Sequence, residues 1–224
     1  MGTGDMLLAH FGLALSGKYI NSKQSLLSLV GASFAPDLVR IVFVFLHIES
    51  VSLSPSISGF FPVDHDIMGY SHSLIGVLLL AIILLVKAKS GRLLATLVVG
   101  HWVLDALMYR HDLPIWLGVS HAKVGLGWLD RPVLFLLIEL GLFMLGLWLY
   151  HRSRTGVYKI GKRFWITVMG VLGLFLGSIL STPKSIDDLI GYGPMLLLLP
   201  LMAWWIDYQR PQTYQSLGGL HRRQ

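Results

Sequence analysis

Residues 132–150 read PVLFLLIELGLFMLGLWLY, an apolar run broken by one carboxylate, Glu139. A helix rises 1.5 Å per residue, so about 20 such residues cross roughly 30 Å of hydrocarbon. On length and composition this stretch is a transmembrane helix. Working outward, comparable runs occupy 25–47, 71–87, 92–110, 163–181 and 189–207, punctuated by Gly, Pro, Ser and charges. They predict an all-α, polytopic membrane helical bundle of about six transmembrane helices, plus a short N-terminal apolar helix over 6–17.

Composition agrees. The apolar set makes up 54% of the 224 residues, charged residues 13%, and the mean hydropathy is +0.66. A soluble domain carries about 25% charged residues, so a water-soluble enzyme and a disordered chain are both excluded. Having no cysteine, the chain has no disulfide, thiolate nucleophile or sulfur ligand. Segment 6–17 lacks a basic leader, starts beside Asp5 and contains His10. It therefore reads as a retained interfacial or re-entrant helix rather than a signal peptide.

The net charge of +6 is a topology signal. Lys18, Lys23, Lys87, Lys89, Arg92, Arg152, Arg154, Lys159, Lys162, Arg163, Arg210, Arg222 and Arg223 fall on one side of the predicted spans, against Lys123, Arg131 and Lys184 on the other. Basic residues gather on the cytoplasmic side, so both termini are expected in the cytoplasm, with the protein integral to the cytoplasmic (inner) membrane. Loops 48–70 and 111–131 are then extracytoplasmic. Trp148, Tyr150, Phe164, Trp165, Trp204, Trp205 and Tyr208 lie at the predicted cytoplasmic boundaries, as an aromatic belt does. The lipid bilayer is the expected partner and nucleic acid is not. The sequence does not specify an oligomeric state. Residues 1–224 read as a single integral membrane domain, its chemistry in 1–131 and scaffold helices in 132–224.

That division follows from the polar residues. An ionisable side chain at mid-membrane costs roughly 2.5–3.5 kcal/mol on insertion scales, so each needs a partner or a function. In Gly100-His101-Trp102-Val103-Leu104-Asp105, His101 and Asp105 stand four apart and share one helical face. Imidazole and carboxylate suit a divalent cation, zinc first among them. They equally suit a metal-free hydrogen bond between helices. If the helix runs on to Pro114, Asp112 joins the same stripe and His111 lies off it, near enough to bend in.

Tyr70-Ser71-His72-Ser73 places His72 in the first turn of a helix capped by serine, as a ligand or as a wetted interfacial histidine. Upstream, His65 and Asp66 are a further ligand and base, or merely solvated loop residues. Pro36-Asp37-Leu38-Val39-Arg40 predicts a kink beside Asp37. Asp37 then serves a site, or pairs locally with Arg40, or both. His10, flanked by Met6, Leu7, Leu13 and Ala14 at helical spacing, reads as a ligand or as a buried structural histidine.

In order, these residues resemble the membrane-bound metal-dependent hydrolases of the YdjM type, a family related to zinc-dependent phospholipase C. The resemblance lies in Ala9-His10-Phe11-Gly12, Pro36-Asp37, Ser71-His72-Ser73-Leu74 and the His101-to-Asp105 spacing. A group of bacterial membrane proteins is similar over more of the chain. Its motifs correspond here to Tyr70 to Leu74, Gly100 to Asp105 and Gly125-Leu126-Gly127-Trp128, while its His-Arg-Pro-Asp-Leu-Pro reads Tyr109-Arg110-His111-Asp112-Leu113-Pro114, with one histidine displaced by two places. The chain departs from the YdjM pattern at Val39, where the family has a second aspartate, and at Ile67-Met68-Gly69, where it has His-Arg-Gly.

The resemblance implies a divalent metal, zinc by preference, held by His72, His101 and Asp105, with His10, Asp37 and His111 as further ligands. Asp112 or Asp66 would orient the histidines or take a proton, and Arg110 would hold a phosphate. The expected function is a membrane-embedded metal-dependent hydrolase cutting a phosphoester of a lipid or lipid-linked substrate on the extracytoplasmic side. If His10 joins such a site, its short helix must dip towards mid-membrane, which makes it the most expendable ligand. The alternative is a non-enzymatic membrane protein (transporter, metal carrier or partner subunit) with a structural His/Asp cluster.

Overall fold

Serine hydroxyls start two of the helices. Ser25 Oγ accepts from Ser28 N and Ser73 Oγ from Gly76 N, each satisfying an amide that the first turn leaves unpaired. The computed structural model describes residues 6–53, 63–118, 122–154, 160–180 and 193–208. Its helices are α1 (Leu7–Ile20), α2 (Leu26–Ser33), α3 (Ala35–Phe45), α4 (Leu74–Lys87), α5 (Gly91–Met108), α6 (Pro132–Arg152), α7 (Lys162–Leu180) and α8 (Leu198–Asp207). Lys159, Lys184, Arg210, Arg222 and Arg223 lie outside the described residues.

The fold is mostly helical, and among the described residues three helices are long and apolar enough to cross a membrane: α5, α6 and α7. The α2–α3 pair makes a fourth if its two members, bent by 60°, form one span. α4 and the helix Met195–Asp207 are apolar but shorter. The described helices therefore do not support six full-length spans. One reason is the expected kink at Pro36, which is a complete break. A continuous helix needs the Pro36 amide to reach the Ala32 carbonyl, and proline has none. The chain leaves helical geometry at Phe34 (φ −105°, ψ 11°) and restarts with Pro36 in the tolerant first turn. In the last expected span, 189–192 lie outside the described residues.

The loops are not all irregular. β1 (Ser50–Leu53) pairs antiparallel with β2 (Val63–Ile67) in the register Ser50↔Ile67 and Leu53↔Val63. β3 (Leu113–Pro114) pairs with β4 (Lys123–Val124).

α1 is the most enclosed helix, and it packs most extensively against α6. Two glycines allow this. A Cβ on Gly12 would lie 2.5 Å from the Leu142 carbonyl oxygen, and one on Gly146 would lie 2.2 Å from the Gly12 oxygen, so the backbones are in direct contact. α1 also begins inside the protein, where its first amides are out of reach of water. Glu139, wholly buried on α6, accepts from Leu8 N at 2.7 Å and Ala9 N at 3.3 Å. A carboxylate there answers both the free N–H groups and the positive end of the helix dipole. One apolar core runs from Met6 to Ala203, joining the expected chemical and scaffold halves.

Outward faces are apolar instead of charged. Ile83, Val86, Val133, Leu137, Met144, Ile166, Met169 and Leu180 are all more than half exposed. Water does not tolerate a belt of this kind on a monomer, whereas hydrocarbon does. Arg152 lies over Trp148 and Arg163 over Trp205, cationic ends resting on aromatic faces. Lys18 has a local set of acceptors. It is buried, its ammonium donating to the Ser22 and Gln24 carbonyls.

Glu139→Ala should lower stability by about 1–3 kcal/mol, because it strands buried amides. Gly146→Leu should cost at least as much by driving α1 off α6. Thermal unfolding in detergent checks both, and unchanged melting in both variants would contradict this placement of α1.

Candidate metal centre

Five ionisable side chains from three helices and one helix entry meet in the interior. His10 comes from α1, Asp37 from the first turn of α3, His101 and Asp105 from α5, and His72 from the segment just ahead of α4. Each is 2% exposed or less. The expected i, i+4 pair forms, with His101 Nε2 3.1 Å from Asp105 Oδ2. His72 Nε2 lies 3.2 Å from Asp37 Oδ1, 3.5 Å from His101 Nε2 and 3.8 Å from Asp105 Oδ2, while His101 Nε2 and Asp37 Oδ1 are 3.9 Å apart. Ligand bonds of 2.0–2.1 Å in a tetrahedron put neighbouring donors about 3.3–3.4 Å apart. These five separations lie around that value, and two triads sharing His101 have all their donor atoms within 4.8 Å of one another: Asp37–His72–His101 and His10–His101–Asp105.

His10 completes the cluster from the side. Its ring stacks on His101 with centroids 3.9 Å apart, and its Nε2 is 3.5 Å from Asp105 Oδ1. The histidine judged most expendable is thus central, because α1 begins at the depth of the cluster. Ser33 holds both residues: its hydroxyl donates to the His10 backbone carbonyl, and its own carbonyl accepts from the His101 ring at Nδ1, 2.7 Å away. That carbonyl is available because α2 stops at Phe34, leaving its last carbonyls without helical partners. With Nδ1 carrying the proton, His101 turns Nε2 toward the cluster.

His72 stands one residue before the cap Ser73, not in the first helical turn as expected. Its carbonyl accepts from Trp102 Nε1 at 2.9 Å, tying the α4 entry to the helix that carries His101. Ser71 Oγ lies 2.8 Å from His72 Nδ1 and donates to Glu49 Oε2 at 2.6 Å. Asp37 is turned to His72 and His101 rather than paired with Arg40, whose Nη1 donates to Met68 Sδ.

The fit to a cation rests on what the donors lack. Asp37 Oδ2, Asp105 Oδ2 and His10 Nδ1 are buried without a hydrogen-bond partner. Buried polar atoms normally have a hydrogen-bond partner, and Asp105 Oδ2 receives no hydrogen bond although it lies 3.1 Å from His101 Nε2. Two carboxylates among imidazoles suit a divalent ion in charge and in ligand type.

Among the described side chains, three further expected site residues, Arg110, His111 and Asp112, do not join the cluster. α5 ends at Met108 and Tyr109 is extended (φ −62°, ψ 152°), so the stripe does not reach Asp112. The cause is capture of helical carbonyls by the facing loop: Leu126 N donates to Ala106 O and Gly127 N to Tyr109 O. His111 is exposed, and Asp112 lies half-buried in the following turn. Arg110 is paired with Asp130 through Nε and Nη2. Asp66 is on β2, and its side chain lies outside the described residues. Sequence reasoning missed Ser33 and Glu49 and noted Glu139 without a role.

A family of unknown function, DUF7534, matches residues 162–213, covering α7 and α8 and none of the cluster residues. No curated protein and no solved structure matches the chain.

The chain has no cysteine, so single cysteines report burial without background. In detergent, His111→Cys should react with a water-soluble maleimide within minutes, and His10→Cys and His101→Cys only after denaturation. Equal labelling of all three would contradict the enclosed cluster.

Proposed function

We propose that this cluster holds a divalent metal, with zinc the best match to its donors, and that the protein is a membrane-embedded metal-dependent hydrolase. Its substrate class is a phosphoester of a lipid or lipid-linked molecule, met at the extracytoplasmic face of the cytoplasmic membrane. The observation that carries the reading is the convergence of Asp37, His72, His101 and Asp105 at ligand-like separations. An ion bound there would supply a Lewis acid able to activate water near neutral pH. His10 is one imidazole more than a tetrahedral set needs. Beside Asp105 Oδ1 it is placed to accept or return a proton.

The apolar outer belt supports a substrate that arrives through lipid. The asymmetry of basic residues supports termini in the cytoplasm. Six crossings require the bent α2–α3 pair to count as one, with α4 and the Met195–Asp207 helix crossing as short spans.

One observation favours a second reading. All five side chains are closed off, and structural metal sites are closed whereas catalytic ones keep a position open. A non-enzymatic metal carrier or a structural His/Asp cluster fits that burial.

Purified without chelator, the parent should contain close to one equivalent of zinc or manganese, and His101→Ala and Asp105→Ala should lose it. Phospholipid hydrolysis should appear with the metal and vanish with it. Stoichiometric metal without hydrolysis of any lipid phosphoester selects the second reading. A metal-free parent removes the centre.

A further inference from the structure

Glu49 is a second buried carboxylate on this side of the protein, 3% exposed and outside the cluster. A tight turn puts it there. α3 ends in a left-handed residue, His47 (φ 57°), and the Ile48 and Glu49 amides both return to the Phe43 carbonyl. Glu49 then accepts three donors from the entry to α4: Tyr70 N at 2.9 Å and Ser71 N at 2.7 Å on Oε1, and Ser71 Oγ at 2.6 Å on Oε2.

An ionised carboxylate only accepts, and a hydroxyl has one proton to give. Ser71 gives that proton to Glu49. Its contact with His72 Nδ1 at 2.8 Å must therefore be one in which the ring donates. Run inward from Glu49, the chain puts a ring proton on Nδ1, while Nε2 lies within hydrogen-bond distance of Asp37 Oδ1 at 3.2 Å and faces His101.

We propose that Glu49 and Ser71 are positioning residues of the metal centre, acting through His72 to present Nε2 as a ligand. This rests on the metal centre proposed above. Outer hydrogen-bond partners of this kind set the tautomer and orientation of a ligating histidine.

Glu49→Gln supplies a test that a merely structural role would not pass. Because Oε1 receives two backbone N–H groups, the glutamine amide oxygen takes that position, and its NH₂ takes the position of Oε2. The NH₂ then donates to Ser71 Oγ, whose proton turns to His72 Nδ1. The chain runs backwards, and His72 carries its proton on Nε2, toward the cluster. Ser71→Ala cuts the chain without reversing it, and Ser71→Thr keeps it.

The experiment has two readouts on histidine-¹⁵N-labelled protein. Nitrogen shifts of metal-free protein locate the His72 proton, and zinc titration gives affinity. The parent and Ser71→Thr should carry the proton on Nδ1 and bind zinc alike. Glu49→Gln should take it off Nδ1, and Glu49→Gln and Ser71→Ala should each weaken zinc by about 10- to 100-fold. An unchanged His72 spectrum in Glu49→Gln, or variants that bind zinc like the parent, would overturn the proposal. A parent that binds no zinc, with the proton still moving in Glu49→Gln, removes the metal centre while supporting the hydrogen-bond chain.

Discussion

A helix that begins inside a protein brings unpaired amides with it, and in a membrane there is no water to meet them. Glu139 resolves this for α1 by accepting from Leu8 and Ala9. Gly12 and Gly146 then let the two backbones touch, so α1 sits deep enough to place His10 against His101. Without the capping carboxylate, the first turn of α1 would be drawn toward water and His10 with it. A residue in the scaffold half of the chain therefore governs the geometry of the cluster in the other half.

The same accounting explains the rest of the centre. Breaking one membrane-length apolar run at Phe34 frees the Ser33 carbonyl for His101 Nδ1 and sets Asp37 in the first turn of a new helix. Serine at the α4 entry serves twice, Ser73 as cap and Ser71 as the link from Glu49 to His72. His72 and His101 each have Nδ1 held, by Ser71 Oγ and by the Ser33 carbonyl, and turn Nε2 toward the two carboxylates, while His10 Nε2 lies 3.3 Å from the His101 carbonyl.

Much of this is legible in the sequence. The i, i+4 spacing of His101 and Asp105 is a local property, and it survives in α5. Pro36 announces a disturbance, although nothing local distinguishes a kink from a 60° break. Depth is a different matter. Periodicity gives the face on which His10 lies but not how far α1 enters the bundle, which depends on a carboxylate more than a hundred residues away. Ser33 acts through its backbone carbonyl, so its side chain carries no signal for that role. Extrapolating the α5 stripe to Asp112 fails because Leu126 and Gly127 take the carbonyls of Ala106 and Tyr109, a tertiary contact invisible to helical spacing.

The proposed centre is a mixed nitrogen and oxygen coordination shell built from Asp37, His72, His101 and Asp105. X-ray absorption at the zinc edge of metal-loaded protein reads that shell directly. About four light-atom neighbours at roughly 2.0–2.1 Å are expected, with the outer-shell scattering of two imidazoles. An all-oxygen shell without imidazole scattering would contradict it.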